Sequence, residues 1–166
     1  TPLYSSAASD VYKRQTMAED TTAKAKQYVN VDPATRRRML AVRQQSTFPE
    51  LLVRRMLHAL GYRFRLHRKD LPGTPDIVLP CHKKIILVHG CFWHGHENCK
   101  KAKLPKNNAN TWMLKINANR SRDGRAILLL QDLGWNVLVL WECEVRNSEI
   151  LKRTLEEFMS LRRSRG

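Results

Sequence analysis

Twelve residues, Val88-His89-Gly90-Cys91-Phe92-Trp93-His94-Gly95-His96-Glu97-Asn98-Cys99, restrict this chain more than any other stretch. They bring two cysteines, three histidines and an adjacent aromatic pair directly behind an apolar run, Ile85-Ile86-Leu87-Val88. Thiols and imidazoles are the ligand set that zinc prefers, and imidazole is the common proton carrier near neutral pH. Phe-Trp in a loop is costly to leave in water, so it is either packed or meets a flat partner such as a nucleobase. A metal site, a candidate base and a stacking wedge are thus compressed into one loop behind one strand.

Charge narrows the partners. With 30 Lys and Arg against 15 Asp and Glu, the formal net charge is +15. Such an excess attracts polyanions, and each phosphate neutralised releases counterions. Arg36-Arg37-Arg38, Arg54-Arg55, Arg63, Arg65, Arg68, Lys69, Lys100, Lys101, Lys103, Lys106, Arg120, Arg122 and Arg125 spread the charge along the chain, which favours nucleic acid. Lys101, Lys103, Lys106, Lys115 and Arg120 are candidates for phosphate contacts. No run approaches the ~18 apolar residues of a membrane span. Four cysteines without a secretion signal, unevenly placed beside His, suit metal binding in a reduced cytoplasmic setting better than disulfides.

The 166 residues fit one domain of ordinary size. Residues 1–31 lack periodicity and are expected to be disordered; residues 1–15 read as a non-native extension, with Met17 a more natural start. A single domain is expected over 32–161, followed by a basic tail at 162–166. Asp32-Pro33 reads as a helix start. Thr47-Phe48-Pro49-Glu50 is a capping box, opening a helix with Leu52, Val53, Met56, Leu57 and Leu60 on one stripe and a stop at Gly61. Tyr62, Phe64 and Leu66 alternate with Arg63, Arg65 and His67, the pattern of a half-buried strand with a basic face. Strands are expected at 76–79 and 85–88 around a hairpin loop, a long helix over 110–133 ended by Gly134, a fully buried strand over 135–141, and an amphipathic helix from about Ser148 to Leu161. That order describes a three-layer α/β domain with a mixed sheet.

Asp76 opens a strand after Gly73-Thr74-Pro75. A carboxylate there either caps the turn or serves as a magnesium ligand, since Mg²⁺ is held through one or two carboxylates, phosphate oxygens and water. Pro-Asp entering a hairpin whose second strand runs into the functional loop resembles the core of the PD-(D/E)XK nucleases. The acidic residue, spacer and Lys of that motif are replaced here by Leu87-Val88-His89. His89 or His94 then becomes the candidate to take a proton from water.

Three blocks make the resemblance specific: Leu71-Pro72-Gly73-x-Pro75-Asp76; Val88-His89-Gly90-Cys91-Phe92-Trp93-His94-x-His96; and Gly134-Trp135-x-Val137-Leu138-Val139-x-Trp141-Glu142-Cys143. Together they resemble the very-short-patch-repair (Vsr) DNA mismatch endonucleases, in order, from about Asp32 to Cys143. The resemblance implies a restriction-endonuclease-like fold with a central mixed sheet, and a magnesium-dependent nick 5′ to the T of a T:G mismatch in duplex DNA, the lesion left by deamination of 5-methylcytosine. It also implies a monomer in contact with mismatch-repair proteins. Carried over residue by residue, Asp76 holds Mg²⁺, the main chain of Val88 adds a second contact, His94 is the base, His89 assists, and Glu50 supports the site. Cys91, His96, Cys99 and Cys143 are implied as ligands of a structural Zn²⁺, with two residues between His96 and Cys99 where the family pattern has one. Phe92 and Trp93, joined by Trp112, are implied as a DNA-intercalating wedge. Cys81 is left over. Two other readings stand beside this one: a restriction-type or mobile-element nuclease of the same fold, and a zinc-stabilised DNA-binding module without catalysis.

Overall fold

A computed structural model describes residues 45–161 together with Pro33, Ala34, Arg37 and Ala41. The expectations for residues 1–31 and 162–166 lie outside the described residues. Pro33, Ala34, Arg37 and Ala41 belong to one compact unit, residues 1–42, in which the Ala41 N–H donates to the Arg37 carbonyl at 3.0 Å. Residues 43–166 form the other unit.

Helix α1 (Phe48–Ala59) begins where the capping box places it: Thr47 N and Oγ1 both donate to Glu50 Oε1, at 3.2 and 2.8 Å. Strand β1 is only Arg65–Leu66, shorter than the alternation over 62–66 predicts. Tyr62 and Phe64 pack against the core below α1, the Phe64 ring meeting His58 at 4.7 Å, and His67 turns to φ +46°, which ends the extended run. Strand β2 (Ile77–Leu79) is joined by a short 3₁₀ turn, Pro80–His82, to β3 (Lys84–His89). Helix α2 (Ala109–Asp132), β4 (Asn136–Trp141) and α3 (Ser148–Ser160) complete the order. None of the described helices is long and apolar enough to cross a membrane.

The sheet runs β1-β2-β3-β4, antiparallel except for the parallel β3–β4 pair. Period-two alternation sorts its side chains into two cores. Ile77, Leu79, Ile86 and Leu140 join Val53 and Leu57 of α1 and Leu151, Leu155, Phe158 and Met159 of α3. Val78, Ile85 and Leu87 join Leu130 of α2 and Trp135. The sheet is therefore the middle of three layers, as the element order predicts. One expectation fails: β4 is not fully buried, because residues 136–139 are half-exposed and only Leu140 within the strand is buried. Among the described residues β4 has a single strand neighbour, β3.

Lys84 locks the sheet to α3. Its ammonium is buried and donates to the carbonyls of Phe158, Met159 and Leu161 at 2.6 to 2.9 Å. Those carbonyls lack partners within the helix, so a cation at this end satisfies them and complements the helix dipole.

Two glycines let α2 approach the loops that carry the functional residues. A Cβ on Gly73 (φ +72°) would lie 2.8 Å from Ala126 Cβ, and one on Gly95 (φ +63°) 2.7 Å from Ile116 Cγ2. Gly95→Ala is expected to cost about 1–3 kcal/mol, through overpacking and a left-handed backbone together. Urea unfolding measures it, and an unchanged midpoint would contradict so close an approach.

Candidate active site

The β2–β3 pair sets the position of the central carboxylate. Ile77 pairs with Ile86, so Asp76 lies beside the end of β3 and accepts a hydrogen bond from the Val88 N–H at 2.8 Å. Asp76 is half-buried, and burial pushes its carboxyl up to about 6. The Val88 N–H opposes that rise, the charge of Glu50 adds to it, and His67 and His94 oppose it. Glu50, His67 and Asp76 form a cluster whose ligand atoms all lie within 4.8 Å of one another. Glu50 is therefore both the capping-box partner and a neighbour of Asp76. Its Oε2 also accepts from Arg54 Nη2 at 2.7 Å.

The histidines follow from the other end of β3. His89 ends the strand, opposite Trp141 in the parallel register, and is buried. The chain then turns, and His94 returns to stack on His89 with ring centroids 4.0 Å apart and planes 10° apart. Asp123 of α2 meets His94 Nδ1 at 2.5 Å. Burial pushes Asp123 up, but the hydrogen bond and charge of His94, with His89 and Arg122, outweigh it and leave the carboxyl below its ordinary value. An ionised carboxylate only accepts, so Nδ1 carries the proton and Nε2 of neutral His94 keeps its lone pair. Burial, reinforced by His94, holds His89 down to about 4. His89 is thus a neutral ring at neutral pH, and the stacked pair carries no charge repulsion.

Beyond His94 the loop gathers sulfur. Cys91, His96, Cys99 and Cys143 place three sulfurs and one ring nitrogen within 4.8 Å of one another, with Cys143 Sγ 3.4 Å from His96 Nδ1. Between His96 and Cys99 the chain turns at Asn98, φ +56°. The His96 ring lies flat on Trp141, 4.2 Å away and 5° from parallel. All four cysteines are free thiols. Burial pushes Cys91 up to about 12, whereas backbone N–H groups of Lys101 and Ala102 help to hold Cys99 below its ordinary value. A buried thiol beside two others and an imidazole fits a bound cation, which reverses that rise by taking the thiolate as ligand. The cluster can hold a metal ion. Cys81 lies apart, exposed on the 3₁₀ turn.

Phe92, Trp93 and Trp112 form one aromatic group, their centroids 5.2 to 6.0 Å apart in tilted contacts. Phe92 and Trp93 are half-exposed, while Trp112 is 5% exposed and supports them from α2. The Lys115 ammonium lies 5.2 Å from the Trp93 ring centre.

Glu50, Asp76, Val88, His89 and His94 are brought near one another, and Cys91, His96, Cys99 and Cys143 gather in one cluster, while three neighbours were not foreseen: Asp123, Arg54 and His67. Asp123 had a signal, as the sole acid of α2 before its last residue, flanked by Arg120, Arg122 and Arg125. His67 was read as part of a basic strand face, which its positive φ contradicts.

The chain as a whole matches known proteins. The family model described as DNA mismatch endonuclease Vsr matches residues 29–101. Over 134 residues the chain is 40% identical to the DNA mismatch endonuclease Vsr of Escherichia coli, covering 77% of this chain and 85% of that protein. Over 130 residues it is 48% identical to the Type II nicking enzyme V.XorIIP of Xanthomonas oryzae pv. oryzae, covering 78% and 95%. The chain belongs to the Vsr family of DNA endonucleases. A second nicking enzyme, V.NmeAIP of Neisseria meningitidis, is 40% identical over 121 residues. As a Vsr-family endonuclease this chain is a hydrolase acting on DNA, and its basic composition matches that polyanionic substrate.

Two outcomes follow for the Vsr-family site. Asp76 binds its proton more tightly folded than unfolded, so its contribution to stability is present below the unfolded value near 4 and is lost as pH rises through about 6. Asp76→Asn is therefore expected to stabilise the protein by about 1–3 kcal/mol at pH 8 without added magnesium, with the gain shrinking as pH falls from 7 toward 4. Urea unfolding across that range tests it; a variant less stable at pH 8 would reverse the sign. In the sulfur cluster, rapid thiol labelling of metal-loaded protein is expected to modify Cys81 alone among the four cysteines, and all four after chelation.

Proposed function

We propose that this chain nicks one strand of duplex DNA on the 5′ side of the T in a T:G mismatch, using Mg²⁺ for catalysis and Zn²⁺ for structure. Asp76 and the main chain of Val88 would hold the magnesium, and Cys91, His96, Cys99 and Cys143 the zinc. The observation that carries the hydrolytic reading is the Asp123–His94 pair beside Asp76, with His89 stacked behind it.

Each residue then has a chemical task. Asp123 holds the His94 tautomer and stabilises the ring once it is protonated. His94 Nε2 takes one proton from the attacking water, the new P–O bond forms as the bond to the 3′ oxygen breaks, and the departing 3′ oxygen takes a proton from solvent water, leaving a 3′-hydroxyl and a 5′-phosphate. His89, neutral and stacked, orients the His94 ring without placing a second positive charge beside it. Magnesium, when bound, supplies positive charge against the phosphate and lowers the pKa of water. Glu50 positions the carboxylate side of the site.

Support for mismatch recognition comes from the aromatic group and from the relatives' names, which include a DNA mismatch endonuclease and enzymes that nick. Phe92 and Trp93 project from the loop that also carries His94, with Trp112 packed behind them. Inserting rings between base pairs offsets an unstacking cost of a few kcal/mol, which is smallest where pairing is already weak. Zinc would fix this loop so that wedge and base keep their spacing.

The test compares a duplex carrying a central T:G pair with its T:A counterpart over a set of flanking sequences, with and without Mg²⁺. Magnesium-dependent cutting of the T strand at T:G alone is expected, reduced about 10²–10⁴-fold in His94→Ala and abolished in Asp76→Ala. Phe92→Ala with Trp93→Ala is expected to reduce the preference for T:G over T:A. Equal cutting of both duplexes would move the chain to the restriction-type reading.

A further inference from the structure

Four rings run in contact from the sulfur cluster to the Asp123–His94 pair. The His96 ring lies flat on Trp141, 4.2 Å away and 5° from parallel. Trp141 meets His89 at 5.4 Å, with the two planes 77° apart. His89 in turn stacks on His94, 4.0 Å away and 10° from parallel. The ends of the series face different groups: His96 Nδ1 faces Cys143 and His94 Nδ1 faces Asp123. Trp141 alone among the four comes from outside the segment 89–96, and the reaction as described gives it no task.

The two middle rings are held by different means. Trp141 stands on β4 opposite His89 of β3, so the ladder sets their backbone spacing, and the Glu142 N–H donates to the His89 carbonyl at 2.9 Å. The His89 ring has no such anchor. Among the described residues its side chain makes no hydrogen bond, and its ring contacts are with Trp141 and His94. Flat rings favour stacked or tilted contacts of this kind, so each ring resists rotation only while its neighbour stays in place. His96 is the neighbour that a bound ion would immobilise, since coordination fixes the direction of an imidazole.

We propose that Trp141 is a positioning residue that couples the sulfur cluster to the two histidines of the active site. With His96 held in the cluster, Trp141 is held against it, and His89 and then His94 are oriented through Trp141. The backbone offers a shorter link through Gly95, but that link fixes where His94 enters the site and not how its ring is rotated. Ring rotation is set by Asp123 at one edge of His94 and by His89 on one face. A base must aim its lone pair at the water it deprotonates, so a rotated ring costs rate without costing DNA affinity. The inference rests on the readings of His94 as the base and of the cluster as a zinc site.

Single-turnover nicking of the T:G duplex, with proton–nitrogen spectra of the histidine rings in the DNA-free full chain, tests it. Zinc-loaded Trp141→Leu is expected to nick about 10–100-fold more slowly, with DNA affinity within about twofold of the unmodified protein. Trp141→Phe restores a flat ring and is expected to recover most of that rate. Exchange of zinc for cadmium, a larger thiol-binding ion, is expected to move the ring signals of His96 and also those of His89. In Trp141→Leu the same exchange is expected to leave the His89 signals unmoved. A folded, zinc-loaded Trp141→Leu that nicks at the unmodified rate would overturn the proposal. So would a Trp141→Phe as slow as Trp141→Leu, or a cadmium shift at His89 that survives loss of Trp141. If Trp141→Leu does not fold, the other two proteins decide. Cadmium that moves His96 but not His89 in the unmodified protein overturns the coupling, as does loss of the His89 shift in Trp141→Phe. His94→Ala nicking at the unmodified rate would instead overturn the reading of His94 as base, while the cadmium spectra, recorded without DNA, still decide the coupling.

Discussion

The hydrogen bond from the Val88 N–H to the Asp76 carboxylate is the constraint on which the site depends. It joins the start of β2 to the end of β3, and so fixes where the first carboxylate stands relative to the loop that follows. Parallel pairing of β3 with β4 then puts His89 beside Trp141, next to Cys143. One strand, buried through most of its length, thus fixes Asp76 on one side and leads into the sulfur cluster on the other. A register slip of one residue would turn Ile85, Leu87 and His89 to the opposite face and dissolve both arrangements.

Charge in this molecule is divided by depth. The surface is strongly basic, as a DNA-binding endonuclease requires, while Glu50, Asp76 and Asp123 lie together near the loop, withdrawn from water to different degrees. Each is compensated differently. Glu50 has Arg54 and the helix cap, Asp123 has His94, and Asp76 has a single backbone donor beside Glu50's like charge. Asp76 is accordingly the carboxyl held well above its ordinary value, and a divalent ion is what would offset that cost. Site residues that weaken the fold in this way are expected where geometry serves chemistry.

The loop after β3 performs several tasks because its residues alternate between them. Cys91, His96 and Cys99 turn into the cluster, Phe92 and Trp93 toward Trp112, and His94 back onto His89. Ten residues cannot bury a core of their own, so their conformation has to be imposed by cross-links and by α2. Gly95 against Ile116, Asn119 donating to the Trp93 carbonyl at 2.9 Å, and Asp123 on His94 are three such points along that one helix. A metal clamp at the sulfur cluster would supply the remaining fixation.

The sequence by itself determined the layers and the residues of the loop. Apolar alternation at 77–79 and 85–88, the Thr47–Glu50 capping box and the glycine stops are local signals, and local signals survive without a structure. An unusual string of Cys, His and aromatics likewise carries its chemistry in its residue types. Tertiary structure alone decided the pairings. Asp123 reaches His94 across 29 positions, and His67 reaches Arg54 across 13, and no periodicity encodes either contact. The same holds for strand length: Tyr62 and Phe64 alternate like a strand, yet they leave it because the core beneath α1 offers them more burial than a ladder at the edge of the sheet. Pattern records which face is apolar, whereas partners depend on how three layers close on one another, and that is where this site acquires its protons and its charge.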